Sequence, residues 1–486
     1  MSDKSGESRP RGEKGQKLWV GPKSRWVPVM VLVVVAVGAA GLTWLLTNIF
    51  DRQQEAKSPY NQVVALDEKT YDSEVWGKNF PKQYEGFKKT SEMNPDKTEP
   101  REPTKDDPRT EIAVSKLEED PRLVTMWKGY AFSVDYRRPR GHEYMLEDQQ
   151  LTRRMTEFEQ PGACLNCHVS LPEVTDSLGD GDHAKGWAEM NKLPYGEAVE
   201  HAGGPIGCID CHDPETMELR ITRPAFEEGI AKYKESQGIK DFDVNTDATH
   251  QEMRTFVCAQ CHVEYYMTPE DKTLTFPWDN GLTVDDAIDY YDEHEFSDFE
   301  HEKTGANVIK AQHPEFETWS NGTHAQNGVT CADCHMPYKR DGAAKISEHQ
   351  VTNPMRTDEG INSSCLTCHN ATEDEMRERV GTITGRWQES KDMSFDALDA
   401  LIADLDEAVK EGRSDEELKL AREYQRRAQF IIDYSVSENS HGFHAPQYSI
   451  TILNQATDYA RKGQLALHGV DVDAGPVSTT AKVNQP

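Results

Sequence analysis

One long apolar run stands out near the start of the chain. Trp26 to Phe50, 25 residues broken only by Pro28, glycines and small polar residues, follows a basic stretch carrying Lys4, Arg9, Arg11, Lys14, Lys17, Lys23 and Arg25. That length suffices to cross a bilayer. The apolar character continues past Ala39, Ala40 and Gly41, so residues 26–50 read as an uncleaved anchor rather than a shorter secretory signal. The basic flank puts residues 1–25 in the cytoplasm and everything from Asp51 outside. Residues 51–125 are polar and proline-punctuated, with four prolines between Asn94 and Pro108 marking surface loop. Long periodic runs are scarce from 126 to 390, and strand signals are weak throughout.

The pattern changes over 391–465. Ser394 is placed to cap a helix in which Phe395, Leu398, Leu401, Leu405 and Ala408 recur at helical spacing, stopped by Gly412. Ser414 and Glu417 form a capping-box pair for a second helix, with Leu418, Ala421, Tyr424, Ala428 and Ile431 on one face. A third helix is expected from about Pro446 to Arg461, with Ile450, Leu453, Ala456 and Ala460 on its apolar side. The tail, 466–486, reads as disordered, above all Asp471 to Pro486. The class is mainly α with little sheet and long C-terminal helices.

Composition alone does not account for a core. Only 36% of the 486 residues are hydrophobic and 29% are charged, which is polar for so long a globular chain. The net charge of -31 lacks the basic footprint that nucleic-acid binding needs. The cysteines supply the missing apolar material. All ten lie in five Cys-x-x-Cys-His boxes: Cys164-Cys167-His168, Cys208-Cys211-His212, Cys258-Cys261-His262, Cys331-Cys334-His335 and Cys365-Cys368-His369. This is the c-type haem attachment spacing. Two thiols bind the porphyrin edge and the adjacent imidazole reaches the iron. Structural zinc would not require a histidine after every second cysteine. Five covalent haems therefore organise the core of 126–390, and each brings a large apolar plane. Haem attachment after export also suits the extracytoplasmic side.

The box histidines fill five of ten axial positions, and twelve of the 17 histidines lie outside the boxes. Electron-transfer haems take a second strong ligand, whereas a catalytic haem leaves that position open. With one open haem, four outer histidines are needed as distal ligands.

Beyond the boxes, several phrases make the chain resemble the pentahaem cytochrome c nitrite reductases, which form ammonia. They are Val75-Trp76-Gly77-Lys78-Asn79-Phe80-Pro81, Pro139-Arg140-Gly141-His142, Cys261-His262-Val263-Glu264-Tyr265-Tyr266, Lys310-Ala311-Gln312-His313-Pro314, Cys334-His335-Met336-Pro337 and Gly442-Phe443-His444-Ala445-Pro446. The resemblance spans roughly residues 70–465. It implies distal ligands His142 for the third haem, His349 for the second, His324 for the fifth and His444 for the fourth. It implies nitrite bound at the first haem in a pocket of Arg154, Tyr265 and His313, with six electrons and eight protons consumed per ammonium. By motif the arginine is Arg154 rather than its neighbour Arg153.

Those residue types suit the chemistry. A guanidinium holds an anion at any working pH, imidazole moves protons near neutrality, and a phenol donates a hydrogen bond. Many members of that family carry lysine in the first box, and this chain has His168. The resemblance also implies one calcium ion on Glu264, Gln312 and the carbonyls of Tyr265 and Lys310. Calcium takes such hard oxygen donors. It further implies a homodimer through the long helices and a membrane tetrahaem quinol dehydrogenase as electron donor. Two readings stand beside the reductase: a non-catalytic pentahaem electron carrier, and a related multihaem enzyme acting on hydroxylamine or sulfur compounds.

Overall fold

The computed structural model describes residues 62–342 and 344–470, with helical residues 29, 30, 32–39, 41 and 43. The basic stretch, much of the Trp26–Phe50 run and the Asp471–Pro486 tail lie outside the described residues. Among the described residues, no helix is long and apolar enough to cross a membrane. Residues from Val63 onward belong to one compact unit.

Its architecture is helical. Helix α1 (Ser73–Asn79) starts where the Asp72 carboxylate accepts the Glu74 N–H, and α2 (Pro81–Lys88) follows at once. The indole of Trp76 is buried and donates to the Thr70 carbonyl at 2.7 Å. The middle of the chain supplies short helices α3 (Leu171–Gly179), α4 (His183–Lys192), α5 (Pro224–Ser236), α6 (His250–Ala259) and α7 (Val284–Glu293). Among the described residues, sheet is confined to four antiparallel two-stranded pairs. They are β1 (Thr98–Pro100) with β2 (Glu111–Ala113), β3 (Tyr266–Met267) with β4 (Leu274–Thr275), β5 (Phe299–Glu300) with β6 (Asn307–Val308), and β7 (Tyr338–Asp341) with β8 (Ala344–Ser347).

Three long helices close the chain: α8 (Glu373–Lys410), α9 (Asp415–Ser437) and α10 (Pro446–Leu467). Phe395, Leu398, Leu401 and Leu405 of α8 pack with Leu418, Ala421, Ala428 and Ile431 of α9 and Leu453, Ala456 and Ala460 of α10. The Ser414–Glu417 capping box opens α9 as expected. Gly412 takes φ +78°, a left-handed stop after α8 that glycine accepts without strain.

Two expected boundaries move. Ser394 caps nothing; it is buried mid-helix and its hydroxyl donates to the Lys391 carbonyl. The true start of α8 is capped by Thr372 with Glu375, some 20 residues earlier. Residues 373–386 show no buried side chain, so the first turns of α8 lack an apolar stripe to read. At the other end, α10 continues beyond Arg461 to Leu467, past the expected start of the tail at 466.

Candidate active site

Each Cys-x-x-Cys-His box is wound into a helical or 3-10 turn. The histidine N–H reaches back to the first cysteine's carbonyl at 3.0 Å for His212, 3.0 Å for His262 and 2.9 Å for His369. A turn of this pitch puts residues i, i+3 and i+4 on one side, so both thiols and the imidazole face the same way. No disulfide joins any of the ten cysteines.

Four box histidines face a second imidazole across a gap of constant width. Ring centroids are 6.3 Å apart for His142 and His262, 6.3 Å for His212 and His349, 6.2 Å for His324 and His369, and 6.3 Å for His335 and His444. Two metal–nitrogen bonds of about 2 Å, plus about 1.1 Å from each nitrogen to its ring centre, require about 6.2–6.3 Å. These residues therefore fit an iron held between them. Carbonyls occupy the far nitrogens of several rings: Met217 for His212, Thr352 for His335 and Ser347 for His349, at 2.8–3.1 Å. Such contacts fix the tautomer that leaves Nε2 for metal. Burial lowers His142, His212 and His335 to about 4, which keeps them in the neutral, ligating form at pH 7. Carboxylates stand behind two others. Glu438 Oε1 lies 2.7 Å from His444 Nδ1, close but poorly aligned as a hydrogen bond. Glu315 Oε2 lies 3.9 Å from His262 Nδ1.

Among the described residues, His168 alone of the five box histidines faces no second imidazole. Its Nδ1 lies 2.9 Å from the Met145 carbonyl, so its other nitrogen is oriented like those of the paired rings. Arg154, Tyr265 and His313, which the resemblance implies for a pocket, each lie near a residue of this first box. Arg154, on the short helix Arg153–Thr156, rests its guanidinium 4.7 Å from the Phe132 ring centre and donates to the Asp135 carbonyl at 3.4 Å. Its charge acts on Cys164 and His168. Arg153 points elsewhere: it is exposed and pairs with Glu157 at 2.7 Å, one turn on. Burial raises the Tyr265 phenol well above its usual range, so it remains a donor, and its electrostatic neighbours include Cys167 and Cys164. Burial, opposed by Glu315, holds His313 at about 3, with His262 and His168 nearby.

Spacing gave no sign of a further cation at this pocket. Lys116 is buried, donates to the Tyr136 hydroxyl at 3.3 Å and to Asn439 Oδ1 at 3.2 Å, and its charge reaches His313.

Behind the pocket, Glu264 is fully buried. Its carboxylate accepts the Gln312 N–H at 2.7 Å and the Tyr291 hydroxyl at 2.9 Å. The Gln312 side chain meets the Lys310 carbonyl at 3.0 Å. Next to them, Glu317 accepts the Glu264 N–H and the Trp278 indole through Oε1, while its Oε2 is buried without a partner. Burial pushes Glu317 up to about 8. Calcium takes hard oxygens of this kind, and the Glu264 carboxylate and the Lys310 carbonyl are brought together through Gln312. No group of three His, Cys, Asp or Glu side chains suited to a metal occurs among the described residues.

The Lys310 side chain has partners outside this cluster. Its ammonium is 1% exposed, lies 3.0 Å from Asp433 of α9 and from the Ser437 hydroxyl, and sits 4.8 Å from the Trp127 ring centre. Asp433 also accepts the Trp127 indole at 2.9 Å and the Ala311 N–H at 3.1 Å. The segment carrying Gln312 and His313 is thereby tied to a long C-terminal helix.

Comparison with known proteins agrees with this geometry. The cytochrome c552 family model matches residues 72–485. The cytochrome c-552 of Parabacteroides distasonis is 36% identical over 97% of this chain and 92% of its own length. That of Desulfotalea psychrophila is 34% identical over 90% and 82%. The cytochrome c nitrite reductase of Desulfovibrio desulfuricans, a catalytic subunit with two calcium sites, superposes with a TM-score of 0.69 at 28% identity. The superposition covers 84% of this chain and 88% of that one. With its boxes, its paired imidazoles and these matches, the chain belongs to the cytochrome c552 family, as an ammonia-forming cytochrome c nitrite reductase.

Proposed function

We propose that nitrite reacts above the first box, on the side of His168 opposite its Met145 contact, and that the other four boxes carry electrons to it. The observation supporting this most directly is the asymmetry of the imidazoles: four box histidines are paired at 6.2–6.3 Å and His168 is not. Cys164, Cys167 and His168 would hold a haem there, which would supply the redox chemistry when bound. The chain's own groups do the rest. Arg154 holds the anion, its guanidinium kept in place by Phe132 and the Asp135 carbonyl. Tyr265 and neutral His313 aim N–H and O–H donors at the nitrite oxygens, where charge develops as each leaves as water. Lys116 adds a positive field that favours anion entry.

In this reading all five boxes bear haem, with His142, His349, His324 and His444 as distal ligands. A calcium ion on Glu264, Gln312 and the carbonyls of Tyr265 and Lys310 stiffens the loops bearing Tyr265 and His313. The Trp26–Phe50 run anchors the enzyme on the extracytoplasmic face, where a membrane tetrahaem quinol dehydrogenase feeds it. Apolar side chains still exposed on α8 and α10, Met393 at 56% and Leu465 at 44%, support a homodimer through these helices.

Two measurements test the proposal. Paramagnetic resonance of the oxidised protein should show one high-spin and four low-spin haems. Ammonium release from nitrite with a reduced dye should fall at least a hundredfold in Arg154→Ala and in His313→Ala. Five low-spin haems would instead identify a carrier. Turnover faster on hydroxylamine or sulfite than on nitrite would favour the wider multihaem enzymes.

A further inference from the structure

The residue just before the second cysteine is fully buried in each of the first three boxes: Asn166, Asp210 and Gln260 are each 0% exposed. One arginine from outside the boxes joins this set. Arg223, immediately before α5, is also fully buried and pairs with Asp210 at 2.6 Å. Its Nε donates to the Asn166 carbonyl at 3.2 Å and its Nη2 to the Val169 carbonyl at 3.0 Å, so the same guanidinium grips the first box and the residue after it. Its Nη1 also meets the Thr222 hydroxyl at 2.6 Å. Thr222 and Gln260 complete the link to the third box. Thr222 N–H donates to Gln260 Oε1, and Gln260 Nε2 donates to the Asp210 carbonyl, both at 3.2 Å. The second oxygen of Asp210 accepts the Gly207 N–H at 2.7 Å, which shapes the turn of the second box. The charge of Arg223 reaches Cys167, Cys211 and Cys261, the second thiol of each of the three boxes.

We infer that the buried Arg223–Asp210 pair is a positioning and charge-balancing element of the electron route, locking the first three haem boxes in register and setting the relative potentials of their haems. This rests on the reading that those boxes carry haem. A planar guanidinium with five donors in a fixed fork reaches four acceptors on three stretches of chain, which a lysine ammonium does not. In a water-excluded site a full charge acts strongly on neighbouring irons, and local charge is one lever on haem potential. The pair as built is neutral. Breaking it from either side leaves a charge of opposite sign.

The test is a redox titration of the holoprotein, followed by visible and paramagnetic resonance spectra, on Asp210→Asn, Arg223→Gln, the double variant and Arg223→Lys. Asp210→Asn leaves a positive charge and should raise the potentials of the haems on the first three boxes. A tenfold change in the one-electron equilibrium corresponds to about 59 mV. Arg223→Gln should lower the same potentials by a similar factor, and the double variant should return them most of the way. The haems on Cys331–Cys334 and Cys365–Cys368 should not move. Arg223→Lys should keep the potentials but shift the low-spin signals of the His142–His262 and His212–His349 pairs.

Shifts of the same sign in the two single variants, shifts spread over all five haems, or no shift would overturn the inference. If Arg223→Gln yields no holoprotein, Asp210→Asn and Arg223→Lys still decide it by the sign and by the signals that move. A wild-type protein with five haems and no ammonium production would sink the proposed pocket while leaving these shifts intact.

Discussion

Lys310→Met should loosen the segment carrying Gln312 and His313 from within the protein. Methionine retains most of the lysine stem and removes the cation 3.0 Å from Asp433, both groups lying at 1% exposure or less. Removing one partner of a buried ion pair costs about 3–5 kcal/mol, because the other charge stays buried. Here the lower end applies. Asp433 keeps three donors, the Trp127 indole at 2.9 Å, the Ala311 N–H at 3.1 Å and the Ser437 hydroxyl at 2.9 Å. Burial already raises its carboxyl, so protonation limits the penalty. With a urea slope of about 3 kcal/mol per molar, a loss of about 3 kcal/mol moves the unfolding midpoint by about 1 M. Lys310 is two residues from Gln312 and three from His313, and a misplacement of about 1 Å near the chemistry costs up to about 100-fold in rate. Ammonium production should therefore fall about 10- to 100-fold with all five haems attached. Lys310→Met/Asp433→Asn removes both charges and should recover most of the midpoint, since the two effects share one interaction. An unchanged midpoint in the single variant, or a double variant as unstable as the single, would refute this account of the pair.

Other expectations follow from single contacts. Asp120 bridges Arg122 at 2.8 Å and Lys391 of α8 at 2.9 Å; burial opposes its charge, but these partners hold its carboxyl at about 2, below the ordinary 3.8. A depressed folded pKa gives stability that is present above 3.8 and lost as pH falls through 2, so Asp120→Asn should cost at most about 2 kcal/mol at pH 7 and almost nothing near pH 2. Arg153→Ala should leave nitrite turnover within about twofold of wild type, as expected for an exposed helical pair, while Arg154→Ala should not. His324→Ala removes the ring 6.2 Å from His369 and should add a second high-spin signal to the oxidised spectrum. Gly141 takes φ +140°, and a Cβ there would lie 2.1 Å from the Thr90 carbonyl, so Gly141→Ala should cost about 1–3 kcal/mol and shift the low-spin signal of the His142 haem.

Much of the molecule was legible because covalent and helical chemistry use contiguous residues. A haem box needs its two thiols and imidazole within one turn, so the five sites appear as strings. Helix α9 was legible from its Ser414–Glu417 cap and the buried face Leu418, Ala421, Tyr424, Ala428 and Ile431. The first half of α8 was not, because residues 373–386 bury no side chain and present no stripe. The outer imidazoles that face the box histidines carry no local signature at all. His142 and His262 meet at 6.3 Å only after the chain has passed two other boxes. They were singled out through neighbouring phrases, not through any property of a lone histidine.

The buried charges were hidden for a different reason. Hydropathy patterns assign Lys, Arg and Asp to the surface, yet Lys116, Arg223, Lys310 and Asp433 are all buried. Only Asp433 leaves a trace, as a charge inside the run Phe430-Ile431-Ile432-Asp433-Tyr434. Their placement follows from how this core is built. Helix pairs such as α9 and α10 align by interlocking apolar side chains, which specify register through shape. A region assembled around flat cofactors has few such layers, and a planar ring can slide against its neighbour at little cost in buried area. Directional contacts between the segments that hold the rings remove that freedom. Arg223–Asp210 joins the first three boxes, and Arg254 of α6 holds Asp333 of the fourth at 2.7 Å. The Ser364 hydroxyl, beside the fifth box, donates to the Cys334 carbonyl at 2.7 Å. Each link joins boxes that are consecutive along the chain. On this view, buried polarity that would be costly in an ordinary helical core is here what keeps the boxes at a fixed spacing.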